Sequence, residues 1–223
     1  MSAQGLLLAL HIAAGATALL TALLAFLFKA SNSAHKWHVY SGLIFFGSMA
    51  VVFGTAVPLA VIGENVFLLF IGVFSFYLAW SGWRYARRRP IEPRAADRVG
   101  AGLMAASAVG MIAYGAWMVG AGDGLGIALA VFGFIGGSLC LADLRGRRVE
   151  YRERISGHLT RMLAAAIATI TAFLVTNVQA EPAFVIWLAP TVVITPLIYW
   201  WNRKIRSGFT PRGMSPAKEA ADA

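Results

Sequence analysis

Seven apolar stretches, each long enough to cross a bilayer as a helix, leave this chain little choice of fold. They cover residues 5–28, 38–62, 65–85, 99–119, 125–144, 154–179 and 183–201. A hydrocarbon core of about 30 Å needs roughly 20 helical residues at 1.5 Å each. Only helices and closed barrels satisfy their backbone polar groups in lipid. The expectation is an all-α, seven-helix transmembrane bundle over residues 1–206, followed by a polar, Pro-containing, disordered tail over 207–223. No connector is long enough for a soluble domain, so any activity sits inside the bundle or at its faces.

The basic residues thread these spans. Lys29 and Lys36 lie between the first two, and Arg84, Arg87, Arg88, Arg89, Arg94 and Arg98 surround the third connector. Arg145, Arg147, Arg148, Arg152 and Arg154 fill the fifth, with Arg161 just inside the sixth span; Arg203, Lys204, Arg206, Arg212 and Lys218 follow the seventh. The remaining connectors carry only Glu64, Asp123 and Glu181. Positive charge stays with the cytoplasm, so the N-terminus is expected outside and the C-terminus inside. The net charge of +9 is then a matter of topology, not a nucleic-acid footprint. The same clusters suit anionic lipid headgroups at the cytoplasmic face, at about 1 kcal/mol per basic residue. The composition agrees: 59% hydrophobic and 13% charged, where a soluble chain carries about 25% charged residues. The opening MSAQGLLLAL has no basic run before its apolar stretch and reads as a retained helix, not a cleaved signal. A single cysteine, Cys140, excludes an internal disulfide and a multi-cysteine metal site.

Histidines are the residues with most chemical potential. His38 opens the second span, and His158 lies about 6 Å into the sixth from its cytoplasmic end, so the two share a level. His35 precedes His38 by about one turn. Two imidazoles on different helices at one depth suit the iron of a b-type haem, with Arg161, on the face of His158, as a propionate partner. Interfacial histidines bound to backbone carbonyls or headgroups are the bland alternative. Zinc held by His35, His38 and His158, with Asp143 or Glu153 as fourth ligand or base, is a further one. Seven-span zinc hydrolases of the alkaline-ceramidase and adiponectin-receptor type carry a paired HxxxH late in the chain, and here only His158 stands there.

His11 is apart from this group, with about 27 Å of helix between it and Lys29. At its depth an imidazole needs a partner, and Glu64, Asn65, Asn177 and Gln179 are the candidates. Such a bond would tie spans one, three and six together. The functional alternative is a proton or quinone contact. Met49 and Met111 read as packing. Gly102, Ala106 and Gly110 form a small-residue ridge and Gly133 with Gly137 a GxxxG pair, both suited to close helix contact. Pro58, Pro190 and Pro196 should kink their helices or free carbonyls. Trp80, Trp83, Trp200 and Trp201 fall at the inner interface and Trp117 and Trp187 at the outer, as an aromatic belt would. There is no phosphate-binding glycine loop, nucleophile elbow or dinucleotide fingerprint.

HIAAG at His11, HVYSGLIFFGSM at His38, HLTRMLAAAIATITAFLVTN at His158 and WLAPTVVITPLIYWWNRK in the last span together resemble a bacterial membrane family, domain of unknown function 2306. The resemblance runs through spans one, two, six and seven. It implies a small multi-pass protein of the bacterial inner membrane with His11, His38 and His158 at characteristic positions, and leaves His35 outside the motifs. It carries no activity with it. The functional expectation is a haem-binding or redox membrane protein using His38, His158 and Arg161. The alternatives are a small transporter with His11 and Glu64 in a proton or solute path, a non-catalytic scaffold, and a zinc-dependent membrane hydrolase. Substrate, electron partner and oligomeric state are not legible in the sequence.

Overall fold

The computed structural model describes residues 2–30, 35–87, 94–145, 151–179 and 181–207. These form seven helices, α1 (Ala3–Ala30), α2 (His35–Ile62), α3 (Val66–Arg87), α4 (Ala95–Gly120), α5 (Leu125–Leu144), α6 (Tyr151–Asn177) and α7 (Phe184–Arg206). Each is long and apolar enough to cross a membrane. The tail beyond Ser207, and Arg88, Arg89, Arg147 and Arg148, lie outside the described residues.

The bundle keeps large apolar side chains on its outside. Val109, Phe134 and Val193 are 70%, 70% and 73% exposed. Water would penalise such a surface, and lipid does not. The centre belongs to α3, which touches α2, α4, α5 and α6. It buries Phe67, Phe74, Tyr77, Leu78 and Ala79, and the consecutive run from Tyr77 to Ala79 shows it covered on more than one side. α1 packs along α2, α4 along α5, and α6 against both α3 and α7. Asn202 of α7 clamps α6: its amide donates to Thr160 Oγ1 at 2.7 Å and accepts from Ser156 at 2.8 Å.

The α4–α5 contact follows a heptad. Ala101, Met104, Ala108, Met111, Gly115 and Met118 of α4 are all buried, spaced three and four apart. Small residues alternate with methionines, so the backbones close to near contact. A Cβ on Gly126 would lie 2.2 Å from the Gly115 carbonyl oxygen, and one on Gly133 would lie 2.9 Å from Met111 Cβ. The expected ridge of Gly102, Ala106 and Gly110 is not this interface. Gly102 and Ala106 are exposed, a Cβ on Gly102 meets nothing, and Gly110 packs on the Phe70 ring of α3. The α4 stripe in contact is offset by about one residue from that ridge, whereas the expected Gly133 and Gly137 pair does face α4, against Met111 and Ala108. Gly126→Leu is therefore expected to lower stability by the ~1–3 kcal/mol typical of overpacking. Gly102→Leu should stay within about 0.5 kcal/mol, as surface changes do. Denaturant unfolding of both variants in detergent checks this pair.

Several helices begin before their apolar stretch. α4 starts at Ala95 because Asp97 caps it: the Arg94 N–H donates to Asp97 Oδ2 at 2.8 Å. The other carboxylate oxygen of Asp97 lies 2.7 Å from Arg84 Nε, and both side chains are 2% exposed. Arg84, expected among the headgroup-facing arginines, thus points inward, under the Trp80 ring. Trp187, expected in the outer belt, is also buried, with its ring edge-on to Phe67 at 4.8 Å. α2 continues through Pro58, and α7 through Pro190 and Pro196.

Candidate functional site

Two glycines let α6 and α3 meet closely enough to build the site. A Cβ on Gly82 would lie 2.8 Å from Met162 Sδ and 3.1 Å from Arg161 Cβ. One on Gly157 would lie 2.4 Å from the Tyr85 ring. This crossing brings His158 Nδ1 to 2.9 Å from the Gly82 carbonyl oxygen. On the facing pair of helices, His38 Nδ1 lies 2.9 Å from the carbonyl oxygen of Ala25 on α1.

Those two bonds set the chemistry of the rings. A carbonyl only accepts, so each Nδ1 carries a hydrogen, and in its neutral form each ring presents Nε2 as a lone pair. A metal-binding imidazole is held in the same way, with its other nitrogen fixed by a carbonyl or carboxylate. The two ring centroids are 6.3 Å apart and the planes stand at 88°. Among the described residues, neither Nε2 has a hydrogen-bond partner.

Both histidines line one cavity of about 350 Å³, inside the ~300–1,000 Å³ range of small-molecule sites. Its wall carries three cations, Lys29, Arg87 and Arg154, together with Gly42, Trp83 and Tyr85. Its rim is open at exposed Val39 and Leu43. Gly42 sits one turn after His38, and a Cβ there would meet nothing within 4 Å. Trp83 is stacked on Phe46 at 4.9 Å, and its buried indole N–H has no acceptor among the described residues.

Arg161, expected as a propionate partner, is not among the residues lining this cavity. It reaches into the core instead. Its guanidinium lies 2.5 Å from Asp143 Oδ1, with side chains 5% and 2% exposed, and stacks 4.1 Å from the Tyr85 ring centre. Asp143 also accepts from Tyr77 at 2.6 Å and from Tyr85 at 3.0 Å. The knot joins α3, α5 and α6. It backs the cavity through Tyr85, which belongs to both. Asp143 is therefore occupied and not turned toward the histidines as a zinc ligand. Among the described residues no three His, Cys, Asp or Glu side chains gather as a metal ion would need, and Glu153 is exposed.

His11 has a partner that the sequence reading does not include. Its Nδ1 is 3.0 Å from Thr55 Oγ1 on α2. The Thr55 hydroxyl donates to the Val51 carbonyl at 2.8 Å, so it accepts from the ring. The bond ties α1 to α2, not spans one, three and six. Asn65 instead caps α3, accepting from the Leu68 N–H, and Asn177 donates to the Phe173 carbonyl of its own helix. Glu64 lies in the turn after α2 with a left-handed backbone at φ 50°. Met49 Sδ lies 3.5 Å from the Thr169 hydroxyl and Met111 is fully buried in packing.

Comparison with protein-family models, with curated proteins and with solved structures finds no match to this chain.

Proposed function

We propose that this multi-pass membrane protein binds a b-type haem between His38 and His158 and serves electron transfer. The observation that carries the reading is the pair of imidazoles. A metal–imidazole bond of about 2 Å plus roughly 1 Å from nitrogen to ring centre puts two such rings roughly 6 Å apart across one iron. The observed separation is 6.3 Å, with both Nδ1 atoms already anchored.

The surroundings fit the same group. The empty space over Gly42 leaves room for a flat ring beside His38. Lys29, Arg87 and Arg154 line the cavity and suit propionate carboxylates. The Trp83 indole N–H offers a further donor. When bound, the haem supplies one-electron chemistry at a potential set by its axial ligands and nearby charge. His38 and His158 would hold such a group, with their ring orientations fixed by the Ala25 and Gly82 carbonyls, and Lys29, Arg87 and Arg154 would lie near its carboxylates.

The orientation proposed is N-terminus outside and C-terminus cytoplasmic, in a bacterial inner membrane. The alternation of basic connectors and the resemblance to the domain-of-unknown-function family 2306 support it. Exposed basic residues such as Arg87 and Arg203 suit anionic headgroups at that face. A transporter reading has less support, because the partner of His11 is the uncharged Thr55 and not Glu64.

The test is an absorption spectrum of the protein purified in mild detergent after expression with haem supplied. A Soret band, with visible bands that sharpen on dithionite reduction, is expected. A colourless protein overturns the reading.

A further inference from the structure

A second cavity lies away from the histidines, between α3, α5, α6 and α7. Its volume is about 200 Å³, and it is walled by apolar residues that include Phe74, Phe132, Ile167 and Trp187. On α6 its lining runs from Thr160 to Ala172, about 18 Å of helix. It reaches the lipid-facing surface at Ala172 and Thr195, both exposed.

Two buried hydroxyls in this cavity differ from many in the bundle. Thr17, Thr55, Ser75, Ser138, Thr169 and Thr176 each donate to the carbonyl four residues earlier. That is how a membrane helix disposes of a hydroxyl. Thr171 and Thr191 line the cavity, and their buried hydroxyl oxygens have no partner among the described residues. Thr171 is 3% exposed. An unpaired buried hydroxyl costs about 1–3 kcal/mol, so two at one cavity call for an acceptor.

We propose that this cavity binds a membrane-soluble quinone: an apolar ring whose carbonyls accept hydrogen bonds from Thr171 and Thr191. An apolar cavity of about 150 Å³ already holds benzene, so 200 Å³ accommodates a substituted ring. The elongated shape and the opening at Ala172 and Thr195 leave an isoprenoid tail a way into lipid. The walls carry no charged side chain, which suits a neutral ligand and excludes an ionic one. The site does not depend on haem at His38 and His158.

The test is titration of the detergent-purified protein with a benzoquinone bearing one isoprenoid unit, read as quenching of tryptophan fluorescence. It is run on the wild type and on the His38→Ala/His158→Ala variant, so that failure of the haem reading cannot mask the result. Saturable quenching is expected in both, and Trp187→Phe should remove most of it. Thr171→Val/Thr191→Val should weaken binding by on the order of tenfold or more, because a site that hydrogen-bonds its ligand loses strongly when those bonds go. Its unliganded stability should be unchanged or higher, since the shape is kept and two unpaired hydroxyls are removed. Absence of saturable quenching, equal affinity in the double-valine variant, or equal binding of an alkylbenzene without carbonyls would each overturn the proposal.

Discussion

Asp143→Ala is expected to destabilise the folded protein by about 3–5 kcal/mol, the range seen when one partner of a buried ion pair is removed. Three groups depend on that carboxylate. Arg161 would keep its charge among side chains that leave it 5% exposed, and the Tyr77 and Tyr85 hydroxyls would lose their acceptor. Among the described residues the Arg161 Nε has no hydrogen-bond partner, and without Asp143 the guanidinium keeps only a long 3.4 Å bond to the Gly157 carbonyl and the face of the Tyr85 ring. Removing both charges is a different experiment. Asp143→Leu/Arg161→Met replaces the pair with apolar side chains and should recover most of the loss, because buried pairs and hydrophobic substitutes are often close in free energy. Unfolding midpoints in detergent give both values, and the double-mutant comparison separates the pair from simple loss of volume. A single Asp143→Ala that stays within about 1 kcal/mol of wild type would mean that the knot behaves as an exposed ion pair does.

Gly42→Leu is expected to empty the histidine cavity of haem without unfolding the protein. In the structure a Cβ at Gly42 meets no atom within 4 Å, so the ligand-free fold tolerates the change. The added side chain would occupy the space beside His38 that a macrocycle needs. Overpacking penalties of ~1–3 kcal/mol correspond to a loss of roughly 5- to 150-fold in affinity. On the proposed reading His38→Ala and His158→Ala would each remove a ligand outright and should lose more, beyond the ~10–100-fold typical of outer-shell changes at metal sites. Haem content per protein, set beside the unfolding midpoint of the same sample, separates these outcomes. Full haem content in Gly42→Leu would place any haem elsewhere.

Much of the fold is readable from residue order, because lipid imposes one requirement on every span. Seven apolar stretches became seven helices. Their starts were less visible. The first turn of α4 owes its helix to Asp97, which caps Arg94 and pairs with Arg84 of a different helix. Depth counting along the helices put His38 and His158 at one level, and their rings do stand side by side. The same counting places Asp143 near the end of α5 and Arg161 near the start of α6, so their pairing was accessible in principle. It is obscured because Arg161 shares a helix face with His158, which points both residues to one task. The partner of His11 was harder to find. Thr55 satisfies its own hydroxyl within its helix, as any threonine in a span does, and nothing in the sequence marks it as an acceptor. Gly82 and Gly157, which set the α3–α6 crossing, lie outside any glycine pair and show their role only against Met162 and Tyr85.

Low-temperature electron paramagnetic resonance of the oxidised, haem-loaded protein tests the histidine site most directly. The rings stand at 88° and each is held by its own carbonyl, on Ala25 and Gly82. Two axial imidazoles in nearly perpendicular planes leave the iron orbitals close in energy, and a low-spin ferric signal with one large g value is expected. A high-spin signal would mean that one histidine does not ligate, a rhombic low-spin signal that the rings lie parallel, and no haem signal at all that the cavity serves another ligand. Each of these would contradict a haem held crosswise between His38 and His158.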